Sequence, residues 1–527
     1  MNSGGSLAIG NGGSATLIGG STSANSQDGA GTLTINGGTV TVAAAGAGGS
    51  SNDASSLWLN PYGTSATSTL NLDGGVLSTA RPISPGSGTA AQAVVNLNGG
   101  LLQAAVASVN FINGGTVNVR NGGARIDTQA FNITIVPGLL HSGVGGDAAI
   151  DGGLVKTGSG ALTLGAAGTF TGDVDINGGK LTSPVAANTA TPTASGLGNL
   201  MTPGRQIRVN AGATLEFTNN DPLGAATVLQ NTSLIVDGGT VDRTARFVTL
   251  PNVTLRNGAT LTGANGVNAN FQSYNLLGTV TVSGSSGSVI TTTGASFTGI
   301  HLGGNITFDV GASSPLTVTA PLINKVNGTG AGNLAKTGAG VMTLAGANTY
   351  TGSTAVQDGA LLVNGVHTGG GLITVSATAT LGGGGQVGAV DFFTAGTLAP
   401  GDAARSDNWL QTAALSLGDA ATQLNFELGA PDDGGPSLAA NDLVTVSGLP
   451  YLRGVLNVVP QAGFASAPAG SKWRLFDLTA GTVPSDHELT LGAGVSSGYA
   501  IQAVAGKPPC TWSPCPRRGR PVSCSSG

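Results

Sequence analysis

The sequence has few of the residues on which helices, disulfides and charged surfaces depend. Charged residues make up 9% of its 527 residues and aromatic residues 4%, whereas an ordinary soluble domain is about 25% charged. The low content of Leu, Lys, Glu and Arg argues against a helical protein, because these are the main helix formers. All three cysteines, Cys510, Cys515 and Cys524, lie close to the C-terminus, so the body of the chain has no disulfide and no thiolate metal site.

A secretory leader, a membrane-spanning helix and a basic surface are also lacking. Residues 1–10 contain neither the basic region nor the apolar core of a signal peptide, and no run of about eighteen apolar residues is present. The formal net charge of −5 provides no electrostatic footprint for nucleic acid. We expect either a cytoplasmic protein or a chain that is a fragment or a mis-started gene model, and the repeats described below favour the second.

Glycine is abundant instead, with 90 residues, and much of it falls in one repeated phrase. A few alternating apolar and polar residues lead to Asn-Gly or Asp-Gly, then to another glycine and a second short run, as in residues 33–42, 70–77, 95–102 and 111–119. The alternation of Val or Leu with Thr or Asn predicts β-strands. Asn-Gly and Asp-Gly supply the positive φ that tight turns need, so the phrase predicts a strand, a corner and a second strand.

Two architectures fit this phrase: an antiparallel array of hairpins, and a parallel β-helix with the Asn-Gly corners between its strands. Several hundred residues with few aromatics do not suit one sandwich or barrel core. A solenoid needs only thin, repeated layers of Val, Ile, Leu, Ala and Thr. The sequence therefore predicts an all-β protein built as a parallel β-helix.

A longer repeat is present as well. Residues 154–181 align without a gap to residues 334–361 at a constant offset of 180, and 13 of the 28 positions are identical. Composition alone does not produce such a match, even in a chain rich in Gly and Thr. The two segments are therefore predicted to be copies of one structural unit.

The pattern of Leu, Lys, Thr, Gly and aromatic residues in both copies resembles the autotransporter-associated β-strand repeat. Residues 332–363 match it closely, and residues 152–181 match it more loosely, because Gly168 stands in place of the asparagine and Phe170 in place of the tyrosine. The resemblance implies a right-handed parallel β-helix, as in secreted or surface-displayed passenger domains. The residues that it marks as structural parts of the repeat are Leu154, Lys156, Gly158, Gly160, Leu164, Phe170, Gly172, Leu334, Lys336, Gly338, Gly340, Leu344, Asn348, Tyr350 and Gly352.

Shifts in composition predict how the chain is divided. We expect an N-terminal β-helix of Asn-Gly-Gly repeats, a β-helix with the two autotransporter-associated repeats, a strand-rich C-terminal cap, and a disordered or frame-shifted tail. In order along the chain, these parts are residues 1–145, 146–400, 401–506 and 507–527. The tail is set apart because Pro, Cys, Arg, Trp and Ser replace the Gly- and Thr-rich composition from Lys507 onward.

Few charged residues are placed for chemistry. Asp173 and Asp175 stand two residues apart and would share one face of a strand, where an exposed structural face is expected and a catalytic site is the alternative. Both copies have a lysine, Lys156 and Lys336, whose stem we expect to cover a neighbouring coil while the ammonium group stays in water. Anion binding by these lysines is the alternative. No calcium-binding spacing accompanies the acids, so no metal site and no cofactor is predicted.

The aromatic residues and histidines also point to structural roles. Phe170 and Tyr350 are expected to stack on adjacent coils rather than on bound sugars. Loop or surface positions are predicted for the histidines, none of which has an Asp or Cys partner at a useful spacing: His141, His301, His367 and His487.

Together these observations predict a non-catalytic repeat protein that is secreted or displayed on a bacterial cell surface, with a role in adhesion or in cell-envelope structure. Surface glycans or proteins of a host or of the environment are the expected partners, without nucleic acid and without a transmembrane segment in this chain. Two alternatives stay open. One is a β-helical polysaccharide lyase or hydrolase, which needs a cleft with converging charged side chains; the other is an autotransporter passenger separated from its barrel.

Overall fold

Every element of regular secondary structure that the computed structural model describes is a β-strand. The structure describes residues 5–9, 16–18, 29–44, 56–60, 65–85, 92–187, 192–224, 231–244, 247–250, 252–264, 270–294, 296–325, 331–401, 409–431, 441–448, 450–478, 488–495, 499–502 and 511–514. The chain divides into two compact units, of which the first contains residues 1–274 and 293–297 and the second contains residues 275–292 and 298–527.

The strands of the first unit are short and numerous. They are β1 (Ser6–Ile9), β2 (Thr16–Ile18), β3 (Thr32–Val42), β4 (Leu57–Leu59), β5 (Ser68–Thr79), β6 (Ile83–Ser84), β7 (Ala93–Leu97), β8 (Leu101–Ala104), β9 (Ser108–Ile112), β10 (Thr116–Val119), β11 (Ala124–Asp127), β12 (Ile133–Ile135), β13 (Leu139–His141), β14 (Leu154–Thr157), β15 (Ala161–Leu164), β16 (Val174–Ile176), β17 (Gly179–Ser183), β18 (Arg205–Asn210), β19 (Ala213–Phe217), β20 (Thr232–Asp237), β21 (Thr240–Arg243), β22 (Val248–Leu250), β23 (Val253–Arg256) and β24 (Thr260–Gly263).

The strands of the second unit are also short and numerous. They are β25 (Tyr274–Leu276), whose first residue belongs to the first unit, β26 (Thr279–Ser283), β27 (Ser288–Ile290), β28 (Ile300–Leu302), β29 (Asn305–Val310), β30 (Leu316–Val318), β31 (Leu322–Asn324), β32 (Asn333–Thr337), β33 (Val341–Leu344), β34 (Thr354–Val356), β35 (Gly359–Val363), β36 (Ile373–Val375), β37 (Ala379–Gly383), β38 (Gln386–Phe392), β39 (Thr397–Pro400), β40 (Trp409–Leu417), β41 (Gln423–Leu428), β42 (Leu443–Val446), β43 (Arg453–Pro460), β44 (Trp473–Arg474), β45 (Phe476–Leu478), β46 (Glu488–Leu491), β47 (Tyr499–Gln502) and β48 (Thr511–Pro514).

Strands of successive coils in the first unit pair in parallel. In its first sheet β14, β16, β18, β20 and β23 follow one another, and in its second sheet β15, β17, β19, β21 and β24 do so. The pairing is in register, so equivalent residues stack in rows along the sheet. One such inward row of the second sheet consists of Leu162, Leu181, Leu215, Val241 and Leu261.

The second unit repeats this arrangement. Its first sheet contains β29, β32, β34, β36, β38, β40, β42 and β45, and its second sheet contains β30, β33, β35, β37, β39, β41, β43 and β46, all paired in parallel with the next coil. These parallel sheets confirm the predicted parallel β-helix and show that the hairpin array is wrong. Antiparallel pairing between named strands occurs where β48 joins β44 and β47.

The core of each unit is the stack of inward side chains. In β18 burial alternates along the strand, so that Ile207 and Val209 are buried between half-exposed neighbours. The same alternation occurs in β35, where Leu361 and Val363 are buried. Each buried aliphatic side chain contributes about 1.5–3 kcal/mol. The repeated rows therefore stabilise the coils without a thick globular core.

Asn-Gly and Asp-Gly phrases lie at corners between the two sheets, as predicted. Gly238 follows β20 and Gly258 follows β23, with φ values of 68° and 83°. The corner side chains also bind one another between coils, since Asn210 Nδ2 donates to Asn177 Oδ1 at 2.6 Å. The phrase therefore supplies both the turn and a polar row along the corner.

The first coils depart from this scheme. Strands β3 and β5 run straight through their phrases and pair with a shift in register where Asn36 meets Gly74. Gly38 and Gly75 have φ values of 68° and 63°, so the backbone bends there without leaving the first sheet. The prediction of a separate corner between two strands is wrong for these coils, because a single positive-φ glycine can bend a strand whose neighbours keep it paired.

The described strands show no change of pairing at the predicted domain limits. Parallel pairing runs from β11 to β14 across residue 145 and from β39 to β41 across residue 400, so these limits stay predictions. Residues 511–514 form β48, which pairs with β47. The disordered or frame-shifted tail stays a prediction, since the rest of residues 507–527 lies outside the described residues.

Candidate functional site

The repeat lysine of the first copy is buried between coils. Lys156 lies at an inward position of β14, between Ile126 and Ile176 of the neighbouring coils, and it has no exposed surface. Its Nζ donates to the carbonyl oxygens of Thr157 (3.1 Å), Gly158 (2.8 Å) and Gly178 (2.9 Å) and to the hydroxyl of Thr128 (3.0 Å). The ammonium group therefore joins three successive coils.

The second copy repeats this arrangement in the other unit. Lys336 is also fully buried. Its Nζ donates to the carbonyl oxygens of Thr337 (2.8 Å), Gly338 (2.6 Å) and Asp358 (3.0 Å). Each of these acceptors stands 180 positions after a carbonyl acceptor of the first copy, so the two copies share one hydrogen-bond pattern. The common target of the lysine is the backbone of its own coil and of the next.

Burial has a measurable electrostatic cost for these lysines. Loss of water lowers the pKa of Lys156 to about 8, partly opposed by the Asp127 carboxylate, and lowers the pKa of Lys336 to about 8 as well. The prediction that the ammonium groups stay in water is wrong. Carbonyl oxygens replace the lost water, which allows the charge to lie inside.

The aromatic residue of each repeat packs against a side chain of the next coil. Phe170 is fully buried, and the guanidinium carbon of Arg205 lies 4.9 Å from the centre of its ring. Tyr350 stacks on His367 with the ring centres 4.2 Å apart, and its hydroxyl lies 2.6 Å from Thr354 Oγ1. Neither ring is presented to solvent, so neither forms a sugar-binding surface.

Shared glycines lie where neighbouring coils approach most closely. A Cβ atom at Gly160 would lie 2.0 Å from a backbone oxygen of the preceding coil, and one at Gly340 would lie 2.1 Å from its equivalent. Gly172 and Gly352 meet backbone atoms at 2.3 and 2.2 Å in the same way. The positive φ values belong to Gly158 (83°) and Gly338 (70°). The shared leucines are buried beside them: Leu154, Leu164, Leu334 and Leu344.

The buried asparagine of the second copy binds two backbone groups with its side chain. Asn348 Oδ1 accepts a hydrogen bond from the Leu322 N–H at 2.9 Å, and its Nδ2 donates to Gly346 O at 3.1 Å. Both copies also donate the backbone N–H of this position to another segment, from Gly168 to Ser195 O and from Asn348 to Val366 O, each at 2.7 Å. The side-chain contacts of Asn348 are therefore an addition that the first copy lacks.

Asp173 and Asp175 share one face, and both are ion-paired. Arg208 of the next coil reaches Asp173 Oδ2 with Nη2 and Asp175 Oδ1 with Nη1, each at 3.0 Å. All three side chains are about one third exposed. Two acidic side chains thus share one guanidinium group at this point on the outer face of the first sheet.

A second outward surface is dominated by threonine. On the outer face of the second sheet of the first unit, two rows run across successive coils at a spacing of about 4.8 Å. We call this surface the threonine face, and its residues are Thr163, Lys180, Thr182, Thr214, Glu216, Thr240, Asp242, Thr260 and Thr262. All of these residues are half-buried, so their polar ends reach solvent from an ordered backbone.

Charges at the centre of the threonine face are unevenly paired. Lys180 Nζ donates to Glu216 Oε1 at 3.0 Å, and Thr182 Oγ1 donates to Glu216 Oε2 at 2.8 Å. Asp242 stands beside Glu216 in the same row, and burial together with the Glu216 charge raises the pKa of Asp242. The face therefore presents hydroxyl groups around a small acidic centre.

Histidine placement departs from the sequence prediction. His141 Nδ1 lies 2.9 Å from Asp151 Oδ2, and the buried Asp151 also accepts the Thr171 N–H at 2.7 Å. His301 and His367 are buried. The predicted lack of an Asp partner is therefore wrong for His141, and the predicted loop or surface position is wrong for His301 and His367, because the coil path brings together residues ten or more apart. His487 lies outside the described residues.

Neither a metal-binding cluster nor a membrane-spanning helix occurs among the described residues. Within the described part of the chain, no three His, Cys, Asp or Glu side chains are grouped so that they could hold a metal ion. None of the residues whose placement is given belongs to a helix long and apolar enough to cross a bilayer.

Comparisons with known proteins find similarities over parts of the chain. The model of the passenger-associated-transport-repeat matches residues 154–182 and 334–363. The adhesin BmaC autotransporter of Brucella suis biovar 1 (strain 1330) is 31% identical over 179 residues, which are 33% of this chain and 5% of that protein. The crystal structure of the Haemophilus influenzae Hap adhesin is 13% identical with a TM-score of 0.27, covering 92% of this chain and 58% of that one. The chain thus contains two repeats of the passenger-associated-transport type, matched at the residues described above, and part of it is similar to an autotransporter adhesin.

Proposed function

We propose that the chain is a non-catalytic, surface-displayed β-helix that binds glycans or proteins of other surfaces through its outward rows. The different positions of inward and outward side chains in the repeats support this proposal. The lysines, aromatic rings and glycines shared by the copies face inward or hold neighbouring coils together, so they build the scaffold. Recognition is left to outward side chains that differ from coil to coil.

The threonine face is the surface that suits such binding best. Its hydroxyl groups stand at about 4.8 Å between coils and about 6.6 Å along a strand, a lattice that can donate and accept hydrogen bonds along an extended ligand. Glu216 and Asp242 add acceptors for ligand hydroxyl or amine groups. Because the side chains are short and held by a paired sheet, little conformational entropy is lost on binding.

A binding screen tests the proposal. The full chain, immobilised, is probed with a glycan array and with matrix proteins. The double variant Thr240→Ala and Thr260→Ala removes two hydroxyls of the threonine face, and we expect at least tenfold weaker binding. The matched control, Ser233→Ala and Thr254→Ala, lies on the other sheet of the same coils and should bind as the wild type does. Equal loss in both variants, or no ligand at all, would contradict the proposed face.

One observation favours an enzymatic alternative. Asp173, Asp175 and Arg208 converge on the outer face of the first sheet at hydrogen-bond distance, and charged groups of this kind act in β-helical polysaccharide lyases or hydrolases. A hydrolysis screen on plant and bacterial polysaccharides decides the matter. Turnover that is lost in Asp173→Ala, in a chain that remains folded, would replace the non-catalytic proposal.

A further inference from the structure

An Asp-Pro bond in the first unit is held in an unusual conformation. Asp221-Pro222 is the one Asp-Pro dipeptide of the sequence, and Asp221 has a φ of 37°. The residue before a proline normally adopts an extended conformation, and a non-glycine residue at positive φ costs about 1–3 kcal/mol. The surrounding coils therefore hold strain at this peptide bond.

The carbonyl group of this bond accepts two backbone hydrogen bonds. Asp221 O receives the Gly224 N–H at 2.8 Å and the Ala187 N–H at 3.2 Å. The Gly224 bond closes an ordinary turn over Pro222, whereas Ala187 belongs to the preceding coil and has no part in that turn. Two N–H groups aimed at one carbonyl oxygen are the arrangement that stabilises a tetrahedral intermediate.

The side chain and the nitrogen of Asp221 are fixed by the following coil. Asp221 is 4% exposed, its Oδ1 accepts the Thr249 N–H at 2.8 Å, and its own N–H donates to Phe247 O at 2.9 Å. These contacts come from backbone groups, which do not titrate. The carboxyl group is therefore held in place by the following coil, and a bond from its oxygen to the main-chain carbonyl carbon of the same residue would close a five-membered ring.

We propose that the folded chain cleaves itself between Asp221 and Pro222. In its protonated form the Asp221 carboxyl group attacks its own main-chain carbonyl carbon, and an oxygen–carbon bond forms as the bond to the Pro222 nitrogen breaks. The carboxyl proton passes to that nitrogen, which leaves as a secondary amine. One water molecule then opens the cyclic anhydride and restores the Asp221 side chain and a new α-carboxyl group. No oxidant, metal or partner protein takes part.

Strain and orientation give the folded state its advantage. Breaking the bond relieves the positive φ at Asp221, and the Ala187 and Gly224 N–H groups stabilise the developing oxyanion. Removing one such donor in an enzyme costs about 10²–10³-fold in rate. We therefore expect the native chain to react at least about 10²-fold faster than the same chain unfolded, in which the donors are absent.

The experiment follows cleavage in the purified full chain in a mildly acidic buffer, with intact mass spectrometry and N-terminal sequencing. The expected products are residues 1–221 and a fragment that begins Pro-Leu-Gly. Asp221→Asn keeps an oxygen to accept the Thr249 N–H, so it should fold and stay intact. The same incubation in denaturant measures the intrinsic lability of an Asp-Pro bond.

The rates of the folded and the denatured chain decide between a reactive site and a structural turn. Faster cleavage of the folded wild type than of the denatured chain, together with an intact Asp221→Asn variant, supports a self-cleavage site. A folded chain that stays intact, or that reacts no faster than the denatured chain, overturns it, and the contacts of Asp221 are then those of a structural turn.

Discussion

Lys156 places a positive charge in a row whose neighbours are aliphatic. Ile126, Ile176 and Val209 occupy the equivalent inward positions of the adjoining coils. Taking an ammonium group out of water costs several kcal/mol, and the hydrogen bonds to carbonyl oxygens offset that cost. Those carbonyls are themselves removed from water at the corner. The lysine therefore gives the buried carbonyl oxygens a hydrogen-bond donor, and the carbonyl oxygens give the buried ammonium group its acceptors.

Replacing Lys156 with methionine tests how much these hydrogen bonds stabilise the fold. Methionine fills a similar volume but donates no hydrogen bond, so the carbonyls of Thr157, Gly158 and Gly178 lose this donor. We expect a loss of about 1–3 kcal/mol in unfolding free energy, the cost of leaving buried acceptors unpaired. Hydrogen–deuterium exchange should be faster in the coil of residues 154–181 than in the rest of the first unit.

Lys180→Met is the matched control for this change. It removes a partly exposed lysine of the same unit, whose ion pair with Glu216 is worth at most about 1 kcal/mol. If both variants lose the same stability, the carbonyl contacts of Lys156 are not what makes its position special.

The tyrosine and threonine of the second copy form a pair that the first copy lacks. Tyr350 and Thr354 share a buried hydrogen bond, and the positions 180 residues earlier are Phe170 and Val174. Where the ring has no hydroxyl, its neighbour has none either. The two copies thus represent a polar and an apolar version of the same contact.

A double-mutant cycle on Tyr350 and Thr354 follows from this pairing. Tyr350→Phe or Thr354→Val alone leaves one buried hydroxyl unpaired and should cost about 1–2 kcal/mol. The double variant reproduces the first copy and should recover most of that loss, which gives a favourable coupling energy in chemical unfolding. Additive losses would mean that the two hydroxyls act independently.

The burial of the lysines was predictable from alternation, whereas their hydrogen bonds were not. Leu154 and Lys156 are two residues apart on one strand, so both must face the same side. The preference of lysine for water led to the wrong prediction, because nothing local shows that a corner of the next coil supplies carbonyl oxygens. Gly178 lies 22 residues away, and only the coil path brings it near.

The coil, as an element, depends on the close approach of one turn to the next. The sequence predicted the strands of the repeated Asn-Gly and Asp-Gly phrase and most of the corners between them. The sequence did not predict that β3 and β5 continue through this phrase. Whether a positive-φ glycine ends a strand or bends it depends on the partner strand. The same limit applied to His141 and Asp151, which a loop brings together.

Substitution of Gly340 tests this close approach directly. A Cβ atom there would lie 2.1 Å from Gly311 O, so Gly340→Ala forces the two coils apart. We expect a loss of about 1–3 kcal/mol, as in other overpacked cores, with faster hydrogen exchange in β32 and β33. Gly494→Ala is the control, because its Cβ would meet no atom within 4 Å; equal effects would contradict the steric account.

Across a whole unit, buried ionisable groups make stability depend on pH. In the second unit, burial and the Glu427 charge raise the pKa of Asp442 to about 8, while burial lowers the pKa of Lys336 to about 8. The stabilising contribution of Asp442 is present at acidic pH and is lost as the pH rises from about 4 to about 8. That of Lys336 is present at very alkaline pH and is lost as the pH falls from about 10.5 to about 8.

Asp442→Asn separates these contributions. The amide oxygen can still accept the Glu427 N–H that Asp442 Oδ2 accepts at 2.6 Å, but it carries no charge. We expect the variant to be more stable than the wild type by about 1–3 kcal/mol at pH 8, with little difference at pH 4. Chemical unfolding at several pH values measures this, and parallel pH profiles of variant and wild type would refute it.

The lysine contacts bear on how the chain acquired its two copies. Because the shared acceptors are main-chain carbonyls, a duplicated segment finds the same partners wherever it is inserted, whatever side chains surround it. No compensating substitution elsewhere in the chain is needed to preserve these hydrogen bonds. Such a segment can be copied within a β-helix and then diverge on its outer surface without a loss of architecture.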